Sequence, residues 1–163
     1  MIEVGQHAPD FICLDGDGRE VSLASLAGAW AVLFFYPRDN TPGCTTEACG
    51  FRDADDDFAA VGARVVGISP DGAASHARFA ASYRLPYTLL SDPEGKLAGQ
   101  FGVWAEKQRF GRTSLGVLRT TFVLDPAGVV RLVFPRVKAA GHAAAVLKAL
   151  RGLQAEGQGQ EKA

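Results

Sequence analysis

The chain is poor in most of what would mark a special environment. Its 163 residues include one methionine, two tryptophans and three cysteines. Three cysteines do not make the disulfide framework of a small secreted domain, so redox chemistry, catalysis or metal binding comes first for them. No apolar run approaches the roughly 20 residues of a membrane span, and no membrane association is expected. An excess of one charge is also missing. Seventeen Lys and Arg stand against eighteen Asp and Glu, a net charge of −1, which leaves no basic field for nucleic acid or acidic lipid. The opening Met1-Ile2-Glu3-Val4-Gly5-Gln6 has neither a cationic start nor an apolar signal core, so a reducing, cytoplasmic location is expected.

What is present is the composition of an ordinary globular protein, 47% hydrophobic and 21% charged. Length, with no internal repeat or linker, favours one domain with a proper core. Residues 11–14 and 20–23 flank the turn Asp15-Gly16-Asp17-Gly18 and read as a small hairpin. Cys13, in its first strand, reads as a small half-buried hydrophobe. Residues 31–36 form a continuous apolar run, the mark of a central strand covered on both faces. A helix follows to Val61, then a strand over 64–69 and a helix over 73–83 with Phe79 and Tyr83 on one face. A short strand at 87–90 and a short helix at 94–101 come next. Residues 102–116 are weakly patterned and are expected as a long loop. The clearest hairpin pairs 119–124 with 129–133 around Asp125-Pro126-Ala127-Gly128. An alanine-rich helix over 139–153 completes a domain of residues 1–153, and 154–163 are expected as a flexible polar tail. This order predicts an α/β sandwich of thioredoxin-like architecture, a central mixed sheet flanked by helices with an N-terminal hairpin extension.

The chemistry concentrates in Tyr36-Pro-Arg-Asp-Asn-Thr-Pro-Gly-Cys44-Thr-Thr-Glu-Ala-Cys49. Two prolines and a glycine mark a loop between strand and helix, which puts Cys44 at the helix start. There, unpaired N–H groups and the macrodipole favour a thiolate. On a helical wheel, Phe51, Ala54, Phe58 and Val61 form the buried stripe with Cys44 close to it. Cys49 falls almost opposite, among Arg52, Asp53 and Asp56. In an intact helix, Cα atoms five residues apart lie about 8–9 Å from each other, with side chains about 140° apart. A disulfide wants Cα atoms within about 7 Å. A bridge between these two cysteines therefore requires the first turn or two to unwind. Zinc binding and two inert thiols remain the alternatives. Zinc sites use spacings of two to four in sets of four, and His7, His76 and His142 are scattered.

The pattern Pro37-x3-Thr41-x2-Cys44 in this strand–loop–helix context resembles the peroxiredoxins. Cys49 five residues on, Phe101-Gly-Val-Trp-Ala-Glu-Lys107 and Arg119-Thr-Thr-Phe-Val-Leu-Asp-Pro-Ala-Gly128 are similar to the bacterioferritin comigratory protein branch, or Q type. The likeness covers roughly residues 3 to 152. It implies a thiol peroxidase acting on hydrogen peroxide and organic hydroperoxides, with no cofactor or metal. Cys44 matches the peroxidatic cysteine. Cys49 matches the resolving cysteine, which condenses with it to an intramolecular disulfide. Thr41 matches the hydroxyl that bonds thiolate and peroxide, Pro37 the ring that keeps out water, and Arg119 the guanidinium that stabilises the thiolate. Thioredoxin or a glutaredoxin-like dithiol is the implied reductant, and the branch is often monomeric. Arg38, Asp39 and Glu47 are near enough to matter, but loop solvation explains them. A thioredoxin-type oxidoreductase would use Cys-x2-Cys, which the chain lacks, and a redox sensor or metal carrier without turnover is the reading from another class.

Overall fold

The structure is a computed structural model that describes residues 1–161, and at Gln108, Arg109 and 158–161 the backbone alone. Among the described residues, nine strands and five α-helices follow in order. Strands β1 (Ile12–Asp15) and β2 (Glu20–Ser22) form the N-terminal hairpin, closed by the one-turn helix α1 (Leu23–Leu26). Strand β3 (Trp30–Phe35) leads into helix α2 (Pro42–Ala60), β4 (Ala63–Ser69), helix α3 (Ala73–Tyr83) and β5 (Thr88–Ser91). A 3-10 turn at Pro93–Gly95 precedes α4 (Lys96–Phe101). Then come β6 (Trp104–Arg109), β7 (Arg112–Val117), β8 (Thr120–Leu124), β9 (Val130–Phe134) and α5 (His142–Glu161).

Seven strands make one mixed sheet in the order β2-β1-β5-β4-β3-β8-β9. β3 pairs in parallel with β4 and antiparallel with β8. That central position explains its unbroken apolar run, since successive residues face opposite layers and both layers are dry. Ala31, Leu33 and Phe35 pack with α1 and α4 through Leu23, Leu26, Leu97 and Phe101. Val32, Phe34 and Tyr36 pack on the other face with Cys44, Phe51 and Phe58 of α2, Phe79 of α3, and Val146, Leu147 and Leu150 of α5. Gly67 of β4 lets this face close, because a Cβ there would sit 2.7 Å from Leu89 Cδ2 and 2.8 Å from Phe34 Cζ.

Two expectations differ from what is observed. The segment expected as a long loop holds the separate two-stranded sheet of β6 and β7. Its strands lack the inside–outside alternation of a half-buried sheet, because β7 is largely exposed. Its turn also places Phe110 at φ 53, a left-handed position where Asn or Gly is the usual signal. The second concerns residues 154–161, where composition points to a tail and α5 instead carries on to Glu161. Ala, Gln and Glu are good helix formers, and Gln154 ties the helix to the Val61 carbonyl at 2.9 Å. Lys162 and Ala163 lie outside the described residues. No helix among the described residues is long and apolar enough to cross a membrane.

Candidate active site

The loop of residues 36–41 and the first turn of α2 carry the site. Thr41 is the N-cap residue with extended backbone, and Pro42 takes the first helical position, where its missing N–H costs nothing. Cys44, third in the helix, is 1% exposed. Arg119 comes from the junction of β7 and β8, next to Thr120, which pairs with Phe35 at the end of β3. The Arg119 carbonyl accepts from Val137 N–H at 2.8 Å, and Thr120 ties its hydroxyl to the Leu118 carbonyl at 2.9 Å. The guanidinium fork then divides. Nη2 donates to the Cys44 sulfur at 3.2 Å, and Nη1 donates to Glu47 Oε1 at 2.7 Å. Gly43 leaves room for this, since a Cβ there would lie 3.2 Å from Nη2.

The fork sits in a half-buried pocket. Burial works against the Arg119 charge, but the charges of Glu47 and Cys44 outweigh it and raise the arginine's pKa. Glu47 is 1% exposed. Burial lifts its carboxyl from 4.5 to about 7, and Arg119 offsets only part of the rise. Its second oxygen, Oε2, has no hydrogen-bond partner among the described residues and stands 4.0 Å from His142 Nε2. His142 opens α5 and shares that nitrogen with the Thr121 hydroxyl at 2.7 Å. Burial, then the Arg119 charge, lowers His142 from 6.5 to about 4.

Of the residues singled out from sequence, Cys44 and Arg119 are in contact. Pro37 is half-buried at the loop start. The Thr41 hydroxyl donates to the Arg38 carbonyl at 3.0 Å rather than to Cys44. Cys49 is half-buried on α2 and unbridged, not fully wet as the wheel implies. Cys13 is half-buried, and burial raises its thiol to about 11. Solvation does explain the exposed Arg38, but it fails for the other two charges of this stretch. Glu47 belongs to the Arg119 fork. Asp39 is buried and anchors the loop. It accepts from Tyr36 Oη at 2.6 Å and Ser75 Oγ at 2.8 Å, with His76 Nδ1 at 2.7 Å. Burial would raise Asp39, but these hydrogen bonds, His76 first, hold it below the ordinary carboxylate range. His76 is itself fixed by the Leu90 carbonyl at 2.9 Å. Among the described residues no group of three or more His, Cys, Asp or Glu is placed to hold a metal ion.

Fold and site define a thioredoxin-fold protein built around one buried cysteine at a helix start, faced by an arginine. Comparison with known proteins makes the class specific. Residues 4–133 match the model of the AhpC/TSA family. The chain is 47% identical over 146 residues to a putative peroxiredoxin bcp of Coxiella burnetii, covering 90% of this chain and 97% of that protein. It is 43% identical over 152 residues to peroxiredoxin Bcp of Bacillus subtilis, covering 93% and 97%. Among solved structures, a cysteine-to-serine variant of Xylella fastidiosa PrxQ superposes with a TM-score of 0.89 at 30% identity, covering 94% of this chain and 98% of that one. The bacterioferritin comigratory protein of Xanthomonas campestris, studied for alkyl peroxide reduction, superposes with a TM-score of 0.83 at 39% identity, covering 87% and 90%. The chain belongs to the AhpC/TSA family, in its Bcp or peroxiredoxin Q branch, and is a thiol peroxidase.

Proposed function

We propose that Cys44 is the peroxidatic cysteine and Cys49 its resolving partner, reducing hydrogen peroxide and organic hydroperoxides. The observation that carries this reading is the Arg119 Nη2 donor, 3.2 Å from the Cys44 sulfur. The thiolate attacks one peroxide oxygen and the O–O bond breaks. Sulfur is oxidised to a sulfenic acid, and the other oxygen leaves as water or an alcohol. Thiolate fraction alone cannot make this fast. A cysteine near 8.5 is about 3% ionised at pH 7, so full ionisation gains only about thirtyfold. The rest must come from positioning and from stabilising charge on the departing oxygen. Arg119 is the fixed cation for that task. Thr41, whose proton is engaged by the Arg38 carbonyl, offers its oxygen lone pairs to the peroxide O–H. Pro37 shields the sulfur from water.

Cys49 sulfur then attacks the sulfenic sulfur. An S–S bond forms, the S–O bond breaks, and the oxygen leaves as water with the Cys49 proton. Because α2 is helical from Pro42 to Ala60, the bridge demands that its first turns unwind. Thioredoxin or a glutaredoxin-like dithiol then reduces it by exchange through a mixed disulfide. The working form proposed is a cytoplasmic monomer, because both cysteines lie in one chain and resolution needs no second copy.

The test is NADPH consumption with thioredoxin, its reductase and peroxide. Cys44→Ser should abolish it, and absence of peroxide-dependent turnover in the wild type would overturn the reading. Cys49→Ser should consume one equivalent of peroxide and stop; continued cycling with thioredoxin would remove Cys49 from the mechanism. Amide exchange from Ala48 to Arg52 should rise on oxidation, and unchanged exchange would rule out the unwinding.

A further inference from the structure

The turn of α2 that carries Cys49 is fastened to the α3–β5 segment by side chains that the peroxide step does not use. The Tyr87 hydroxyl donates to the Ala48 carbonyl at 2.6 Å, and the Tyr87 ring stands edge-on to Phe34 with 5.7 Å between centroids. One turn further, Arg52 Nη1 donates to the Tyr83 carbonyl at 2.9 Å. Tyr83 is the last residue of α3, so Arg52 satisfies a carbonyl left open at the helix end and faces the negative end of its dipole. Cys44 and Glu47, on the N-terminal side of this point, instead meet Arg119.

The Ala48 carbonyl matters because its surroundings are dry. Ala48 is fully buried, and a carbonyl has two lone pairs to satisfy. In the intact helix one accepts from Arg52 N–H and the other accepts from Tyr87. Consider the helix restarting with Cys49 at its N-cap, as a Cys44–Cys49 bridge requires. Arg52 N–H then becomes one of the free donors of the new first turn. The Ala48 carbonyl is left with Tyr87 alone. The hydroxyl is thus worth more to the oxidised form, where it is the last partner, than to the reduced form, where it is the second.

We propose that Tyr87 is a positioning residue of the resolving step: it holds the Ala48 carbonyl in both redox forms, sets where unwinding stops, and keeps Cys49 in place while Cys44 travels to it. This rests on the Cys44–Cys49 bridge proposed above. Arg52 contributes at the same point. Its guanidinium fastens the next turn of α2 to the end of α3 through the Tyr83 carbonyl.

Tyr87→Phe tests this in the full chain, since it removes the hydroxyl and keeps the ring against Phe34. In dithiothreitol redox buffers, with the bridge read by alkylation and mass, the disulfide equilibrium should fall about tenfold, the effect of one buried carbonyl losing its last partner. For a two-electron couple that is a midpoint about 30 mV less negative. The single-turnover peroxide step should be unchanged, and more Cys44 should be trapped as sulfinic acid at a given peroxide concentration. Amide exchange of the oxidised protein should show protection beginning near Asp53 in the wild type and further along α2 in the variant. A midpoint equal to wild type, or an unmoved protection boundary, overturns the role of Tyr87. Peptide mapping separates the two ideas. If the wild type forms no Cys44–Cys49 bridge, the bridge and the role of Tyr87 fall together; if the bridge forms and Tyr87→Phe leaves its potential alone, only the role of Tyr87 falls.

Discussion

Glu47 and His142 face each other across 4.0 Å beside the Cys44–Arg119 contact, and their titrations oppose each other in stability. Burial raises Glu47 from 4.5 to about 7 and lowers His142 from 6.5 to about 4. Between pH 4.5 and 6.5 the folded protein carries a proton on Glu47 and none on His142. The unfolded chain carries the reverse. Both states bind one proton, so the pair contributes no slope to stability across that window. Replacing either group exposes the other. Glu47→Gln leaves His142, a base with a depressed folded pKa, whose contribution is full above pH 6.5 and lost as pH falls toward 4. His142→Asn leaves Glu47, an acid with a raised folded pKa, whose contribution is full below pH 4.5 and lost as pH rises through 7. Two and a half pH units at about 1.4 kcal/mol each give about 3 kcal/mol for Glu47. For His142, which lies nearer solvent at the start of α5, screening reduces this to about 2 kcal/mol. Urea unfolding of the reduced protein in half-unit steps from pH 4 to 8 reads both. Wild type should be nearly flat from pH 4.5 to 6.5, with Glu47→Gln climbing and His142→Asn descending. Slopes of the same sign in the two variants would refute the reasoning.

Two further predictions concern the fork. Arg119→Lys keeps the charge but loses the two-pronged geometry that spans Cys44 and Glu47. The peroxide step, followed by stopped-flow fluorescence, should slow by about 10²-fold, the cost of removing a fixed donor from developing charge; an unchanged rate would mean that charge alone suffices. Gly43→Ala should separate stability from rate. Alanine in the first turn favours the helix by up to about 1 kcal/mol, while its Cβ, 3.2 Å from Arg119 Nη2, displaces the guanidinium from the sulfur. Thermal unfolding should rise as the peroxide rate falls severalfold, and a wild-type rate would show that Arg119 gives way without leaving Cys44.

The fold was legible where local pattern and burial agree. β3 reads as a central strand because both its faces are dry. The β8–β9 hairpin reads clearly because Asp125 and Gly128 close its turn with a 2.9 Å backbone bond. The β6–β7 hairpin was not legible, since neither strand alternates and Phe110 occupies the turn position, 99% exposed. In the site, Cys44 and Arg119 meet across 75 positions of chain, a distance that no spacing rule spans and only the family resemblance suggested. Asp39 looks like a loop charge because its partners Ser75 and His76 come from α3, beyond the reach of any local pattern. Glu47 is different, because its signal lay in the helix itself. It follows Cys44 by three residues and precedes Phe51 by four, which puts it on the buried stripe and not on the charged face. A carboxylate on a buried stripe demands a cation or a proton there. Glu47 has a claim on both. Arg119 holds one oxygen at 2.7 Å, while the other, dry and without a hydrogen-bond partner among the described residues, lets burial outweigh the arginine and lift the carboxyl to about 7.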